Sequence, residues 1–161
     1  MDTRFSMAIQ LLILTALAPE PMSSAQMAGS VGTNPSHVRR ILGQLSKAGF
    51  VEGRQGTVGF RLLQDPQDVS LFSVYCAVCG TDAFHAFDVH QNSSDACLVG
   101  RYIRPVLHDI FGTMEQRMQE ALAGCTLADC INRLKTCVAS DDPTANEGSI
   151  SDTLRQKRDD A

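Results

Sequence analysis

The chain has 161 residues, 43% of them apolar and 20% charged, with a formal net charge of −4. A chain of this length forms one compact domain, or a small domain with a helical extension, and buries enough surface to need no disulfides. No run approaches the roughly 20 apolar residues that cross a bilayer, which argues against a membrane protein.

The acidic total hides an asymmetry. Residues 1–63 carry a net charge of +3, and residues 64–161 carry −7. Between positions 36 and 61 there are five basic residues and one acidic one. A basic head on an acidic body is the pattern of a protein that meets nucleic acid with one face.

In chain order, the apolar run Ala8–Ala18 follows Arg4, as a signal peptide would, but it contains Gln10 and Thr15. It leads into a helical pattern, not an obvious cleavage site. It therefore reads as the first buried helix of a cytoplasmic protein, over Thr3 to Leu17, with Phe5, Ala8, Ile9, Leu12 and Ala16 at helical spacing. Pro19 stops it.

Ser23 or Ser24 can cap a second helix from Ala25 to Ser30. Gly32 supplies a tight turn. Asn34 caps a third helix with Pro35 at its first position, where a missing N–H costs nothing. Val38, Ile41, Leu42 and Leu45 recur at i, i+3, i+4 and i+7, and Gly49 can end the helix. A short helix, a glycine turn and a longer helix make a helix-turn-helix. A hairpin follows, with strands Phe50 to Arg54 and Thr57 to Leu63, and Val58, Phe60 and Leu62 on one face. That is a wing.

After Asp65-Pro66 a fourth helix is expected from Ser70 to Gly80, with Leu71, Val74, Tyr75 and Val78 inward. Residues 81–95 read as irregular. A long helix starts near Cys97, with a kink at Pro105 or a start near Ile103, and ends at Gly124. Thr126 opens a short last helix with Leu127, Cys130, Ile131 and Leu134 on one face. Beyond about Ala139 the composition is that of a disordered tail. The expected division is 1–66 (reading head), 67–96 (connecting helix and sensor loop), 97–137 (dimerisation and terminal helices) and 138–161 (tail). The fold class is mainly α with a small β-hairpin wing.

A reading helix presents polar side chains outward from its first turns. Ser36, His37, Arg39, Arg40 and Gln44 are the candidates for base edges: arginine can bridge guanine O6 and N7, and glutamine can pair with adenine. Gly43 leaves room for close approach. Lys47 and Arg61 are expected on phosphates, and Arg54, Gln55 and Thr57 of the wing on a minor groove or phosphates. The alternative is that the arginines and Lys47 simply form a solvated helix face. On the long helix, Leu98, Tyr102, Val106, Ile110, Met114, Met118 and Leu122 form a stripe at four-residue steps. This is too much apolar surface for the small body to cover, so a second copy is expected to bury it.

The run from Thr33-Asn34-Pro35-Ser36-His37-Val38-Arg39-Arg40-Ile41-Leu42 through Leu45-Ser46-Lys47-Ala48-Gly49-Phe50-Val51-Glu52 resembles the Rrf2 family of bacterial winged-helix transcription regulators. That family includes IscR, NsrR, CymR and YwnA types, and the likeness is to the YwnA branch. It continues through Asp65-Pro66, Val69-Ser70-Leu71 and Val74-Tyr75, and resumes at Ala96-Cys97-Leu98-Val99-Gly100-Arg101 and Thr126-Leu127-Ala128-Asp129. It covers about residues 5–135 and implies a dimer with crossed long helices, its two heads on a palindromic double-stranded DNA operator. The wing departs from the family, with Gly56-Thr57-Val58-Gly59-Phe60 replacing a denser glycine run.

All six cysteines lie in the second half. Some family members hold an iron–sulfur cluster through three cysteines just before the long helix. Only Cys97 stands there in this chain, so the resemblance does not carry a cluster over and no cofactor or metal is predicted. Cys97 is the redox candidate. It sits at a helix N-terminus that favours thiolate, with Arg101 and Arg104 nearby. The other reading of Cys97 is a small buried residue at a helix junction. Cys76 and Cys79 form one C-x-x-C without a second, a weak zinc signal. Cys125, Cys130 and Cys137 follow the long helix, where burial explains them as well as ligation does. His85, His90 and His108 are single histidines.

No phosphate-cradling loop, nucleophile elbow or H-E-x-x-H occurs, so no catalysis is expected. The reading is a redox-responsive repressor. The rivals are a metal- or iron–sulfur-binding sensor regulator, a winged-helix protein-interaction module, and a small thiol enzyme built on Cys76 and Cys79.

Overall fold

The computed structural model describes residues 3–53 and 59–141. Arg54, Gln55, Thr57 and Val58 of the expected wing, and the tail beyond Asp141, lie outside the described residues.

The order is α1 (Arg4–Leu17), α2 (Ser24–Val31), α3 (Pro35–Lys47), β1 (Val51–Gly53), β2 (Phe60–Leu62), α4 (Leu71–Cys79), α5 (Leu98–Ala123) and α6 (Leu127–Asp141). Local chemistry sets most of these boundaries. Ser23 and Gln26 form a reciprocal capping box at the start of α2. Gly32 ends α2 with φ 73°, a left-handed turn that glycine adopts without steric cost. Asn34 caps α3 by accepting the His37 N–H at 2.8 Å. Ser70 caps α4, and left-handed Gly80 ends it.

The core gathers around α1, α3 and α4. Leu11, Leu12, Val38, Ile41, Leu42, Leu45, Val74 and Val78 are fully buried. Burying a side chain of this size contributes about 1.5–3 kcal/mol. The antiparallel hairpin pairs Val51 with Leu62, Glu52 with Arg61 and Gly53 with Phe60. It is fastened to the segment before α2, where the Phe60 N–H donates to the Met22 carbonyl at 2.9 Å. Gly59 makes this approach possible: its φ is 139°, and a Cβ there would stand 2.6 Å from the Pro21 backbone.

The last helix is longer than the sequence pattern suggests, fifteen residues in all. Thr126 and Asp129 cap its start reciprocally, and Leu127 and Ile131 enter the core. Two backbone bonds splice this start to the segment before α4. The Leu71 N–H donates to the Cys125 carbonyl, and the Leu127 N–H to the Val69 carbonyl, both at 2.8 Å.

The long helix begins at Leu98, not near Ile103, and Pro105 lies within it. It has no buried residue over 26 positions. Leu98 is 73% exposed and Ile110 41%; Val99, Tyr102, Val106, Met114 and Met118 are exposed to degrees between these. Leu122 is half-buried. No helix of the described residues is long and apolar enough to cross a membrane.

Candidate nucleic-acid interface and sensor region

The two faces of α3 divide sharply. Val38, Ile41, Leu42 and Leu45 are buried, while Ser36, Arg39, Arg40, Gly43, Ser46 and Lys47 are exposed. At 100° per residue, Ser36, Arg39, Arg40, Gly43 and Lys47 fall within one polar stripe opposite the core. A Cβ on Gly43 would meet open space, so nothing in the protein requires a glycine there.

The residues of this stripe are not equivalent. Arg39 reaches back over the turn and donates to the Ser24 hydroxyl at 3.3 Å and to Ser36 at 3.1 Å. Its guanidinium is thereby positioned between the start of α2 and the start of α3. Arg40 and Lys47 make no ion pair among the described residues and stand in solvent. Arg61 pairs across the hairpin with Glu52, which offsets part of its charge.

Two of the expected base-readers turn inward. Gln44 is half-buried and donates to the Val78 carbonyl of α4 at 3.1 Å. That bond helps hold α3 against α4 and takes the amide off the outer stripe. His37 is also half-buried, and its Nε2 is buried without a hydrogen-bond partner among the described residues. Sequence periodicity places both at the edge of the stripe; only the neighbouring helix decides which way they face.

Residues 81–95 form an irregular segment clasped to α5. Glu115 accepts the backbone N–H groups of Ala86 and Phe87 at 2.8 and 3.1 Å, and it pairs with His85 Nδ1 at 3.0 Å. Gln119 accepts the Phe84 N–H, and the Phe87 and Phe111 rings meet at 5.0 Å. Tyr75 of α4 packs on Phe84 and edge-on to Phe5, which ties the segment to the head. The sequence marks this region as irregular but does not show the clasp, because Glu115 lies 28 or more positions from the amides it binds.

Cys97 stands exposed at the N-cap position of α5. The backbone N–H groups of Gly100 and then Val99, in the first turn, hold its thiol below the ordinary value of 9.0. The nearby arginines are engaged elsewhere: Arg101 donates to the Asp95 carbonyl and Arg104 to Gln91. Cys76 and Cys130 go the other way, with burial pushing both thiols up.

The surroundings of Cys97 do not fit an iron–sulfur cluster or a metal. Among the described residues no three His, Cys, Asp or Glu side chains gather as a ligand set. His85 is held by Asp88 and Glu115, and His90 bonds to Ser93.

A helix-turn-helix followed directly by an antiparallel hairpin defines a winged-helix protein. The family model Rrf2, described as an iron-dependent transcriptional regulator, matches residues 1–133. The HTH-type transcriptional regulator YwnA of Bacillus subtilis (strain 168) is 38% identical over 133 residues, which cover 83% of this chain and 98% of YwnA. The chain belongs to the Rrf2 family of transcriptional regulators, as the motif from Thr33 to Glu52 implies; its relatives are regulators, not enzymes.

Solved structures agree on the fold. A crystal structure described as that of a DNA-binding protein is 35% identical, with a TM-score of 0.64, and the match covers 80% of this chain and 98% of that one. CymR, described as the global cysteine regulator of B. subtilis, superimposes with a TM-score of 0.62 at 16% identity, over 82% of this chain and 95% of CymR. IscR of T. potens gives 0.62 at 17% identity, over 85% and 89%.

The stability of the clasp depends on pH through both partners. Hydrogen bonding to Asp88, then the charge of Glu115, holds the His85 pKa above its ordinary 6.5. A raised folded-state value means that this contribution is complete below 6.5 and is lost as pH rises through the folded pKa. The Ala86 N–H holds Glu115 below its ordinary 4.5, so its contribution is lost as pH falls through that lower value. The clasp is therefore tightest between the two. In an NMR titration, Glu115→Gln should lower the His85 midpoint and speed hydrogen exchange at Ala86 and Phe87. An unmoved midpoint would show that the two side chains do not interact.

Proposed function

We propose that this chain is a homodimeric, sequence-specific DNA-binding repressor of the cytoplasm, with α3 of each protomer in the major groove of a palindromic operator. The observation that carries this reading is the stripe on α3. Ser36, Arg39, Arg40 and Lys47 are exposed on one side of a helix whose other side is fully buried. An apolar outer face would have pointed to a protein partner; this one offers cations and hydroxyls. Arg39 and Arg40 serve as the base-reading pair, Ser36 supports Arg39, and Lys47 and Arg61 take phosphates. His37 and Gln44 act from within by setting the pose of α3. The wing residues Arg54, Gln55 and Thr57 follow Gly53 in sequence and would reach the adjacent groove.

The stripe on α5 supports a second copy as its cover, through Leu98, Tyr102, Val106, Ile110, Met114, Met118 and Leu122. Two heads would then address half-sites about 34–36 Å apart.

Cys97 is the proposed oxidant sensor. Its exposed sulfur attacks an oxygen of hydrogen peroxide, the O–O bond breaks, hydroxide leaves, and the two-electron oxidation yields a sulfenic acid. The change sits where the clasped segment enters α5 and would shift the spacing of the heads.

Three measurements test these readings. Arg40→Ala should cost about 1–3 kcal/mol of operator affinity and relax specificity, whereas Lys47→Ala should weaken all duplexes alike and flatten the salt dependence. Normal operator binding by both variants would remove α3 from the groove. Ile110→Glu should reduce the mass seen by light scattering to that of one chain, and an unchanged dimer would place the interface elsewhere. Peroxide should release DNA from the natural protein but not from Cys97→Ser; equal release from both would assign the response to another thiol.

A further inference from the structure

A polar pocket of about 380 Å³ lies between residues 91–95 and the first turns of α5. Gln91, Ser93, Asp95, Arg101, Arg104 and His108 line it. Its wall is fixed by a close backbone approach. A Cβ on Gly100 would stand 2.3 Å from the Ser94 carbonyl oxygen, so only glycine lets the segment lie on the helix here.

Two cations share this pocket. Arg101 and Arg104 are three positions apart on α5, and like charges at that spacing repel on a helix. Their hydrogen bonds go to neutral oxygens: Arg101 Nε and Nη2 to the Asp95 carbonyl at 3.3 and 3.0 Å, and Arg104 Nη2 to the Gln91 side-chain oxygen at 2.5 Å. Neither forms an ion pair with an acidic side chain among the described residues. Each guanidinium has five N–H donors in a planar fork, so donors remain on both. Among the described residues the only acidic side chain on the lining is Asp95, against two arginines. The volume falls within the range of small-molecule sites.

We propose that this pocket binds a small, multiply charged anion, a polycarboxylate or phosphate ester, as a second input to the regulator. Paired guanidinium forks match carboxylate and phosphate geometry in two-point contacts. Ser93, Gln91 and His108 add hydrogen-bonding groups suited to a hydroxylated ligand. No Phe or Tyr side chain of the described residues lines the pocket, and its lining is mainly polar. The site is separate from the stripe on α3 and from the apolar stripe of α5. It flanks Cys97 on both sides in sequence, between Asp95 and Gly100.

The test is calorimetric titration of the full chain with citrate and with inorganic phosphate, at constant ionic strength and without DNA. Saturable binding of one probe per protomer is expected. Arg101→Gln and Arg104→Gln should each weaken it at least about tenfold. Arg104→Lys, which keeps the charge but loses the fork, should weaken it too, and Arg117→Gln, farther along α5, should leave it intact. Circular dichroism checks that each variant folds. The absence of saturable heat from both probes, or equal binding by the natural chain and both glutamine variants, would overturn the proposal. A separate arm measures random-sequence duplex binding over a series of chloride concentrations, in buffer free of citrate and phosphate. Unchanged affinity in the glutamine variants supports a small-molecule site. A uniform loss with a flatter salt dependence would assign the arginines to DNA phosphates and overturn it.

Discussion

The burial of Val38, Ile41, Leu42 and Leu45 is the constraint on which the rest of the structure depends. These side chains lock one face of α3 into contact with α1 and α4. Because a helix turns 100° per residue, fixing four positions inside fixes the remaining ones outside. The placement of Arg40 and Lys47 in solvent therefore follows from the packing of the opposite face of α3. The cost of exposing cations is small, and the cost of withdrawing four apolar side chains is large, so the surface is set by the core.

The second half of the chain is organised on a different principle. The segment from Thr81 to Asp95 has no regular secondary structure, and three of its backbone donors, at Phe84, Ala86 and Phe87, are met by side chains of α5. Glu115 and Gln119 do this from one helix face. Backbone N–H groups that no strand or helix satisfies need such partners. Above this clasp, Cys97 and the arginine-lined pocket occupy the place where irregular chain becomes helix. The exposed thiol and the two arginines thus sit at that junction, while the polar stripe lies on α3, whose opposite face is packed in the core.

Much of this was readable in the residues, and the reason is locality. Asn34, Gly32, Ser70 and Gly80 act within a turn of themselves, so their caps can be inferred from spacing alone. The apolar periods of α1, α3 and α5 place the helices for the same reason, and the motif around Thr33 to Glu52 identifies the family. What escaped reading depends on other elements. Gln44 turns to Val78, 34 positions away, and Arg39 bonds to Ser24 across the turn. The length of α6 exceeds what its apolar pattern suggests because its polar second half resembles a loop in composition. The helix N-terminus at Cys97 is legible in the sequence, but its neighbouring arginines bond elsewhere, and the first-turn N–H groups of Gly100 and Val99 favour the thiolate.

The splice between the start of α6 and the approach to α4 has a mechanical consequence. Leu71 and Leu127 each donate a backbone bond across that seam, and the fully buried Leu127 anchors it like a rivet. The far end of α5 is therefore joined to the approach to α4 by three residues, Gly124 to Thr126, and two backbone bonds. A rotation of the long helix about its own axis would be transmitted to α4 as torque and not absorbed at the corner.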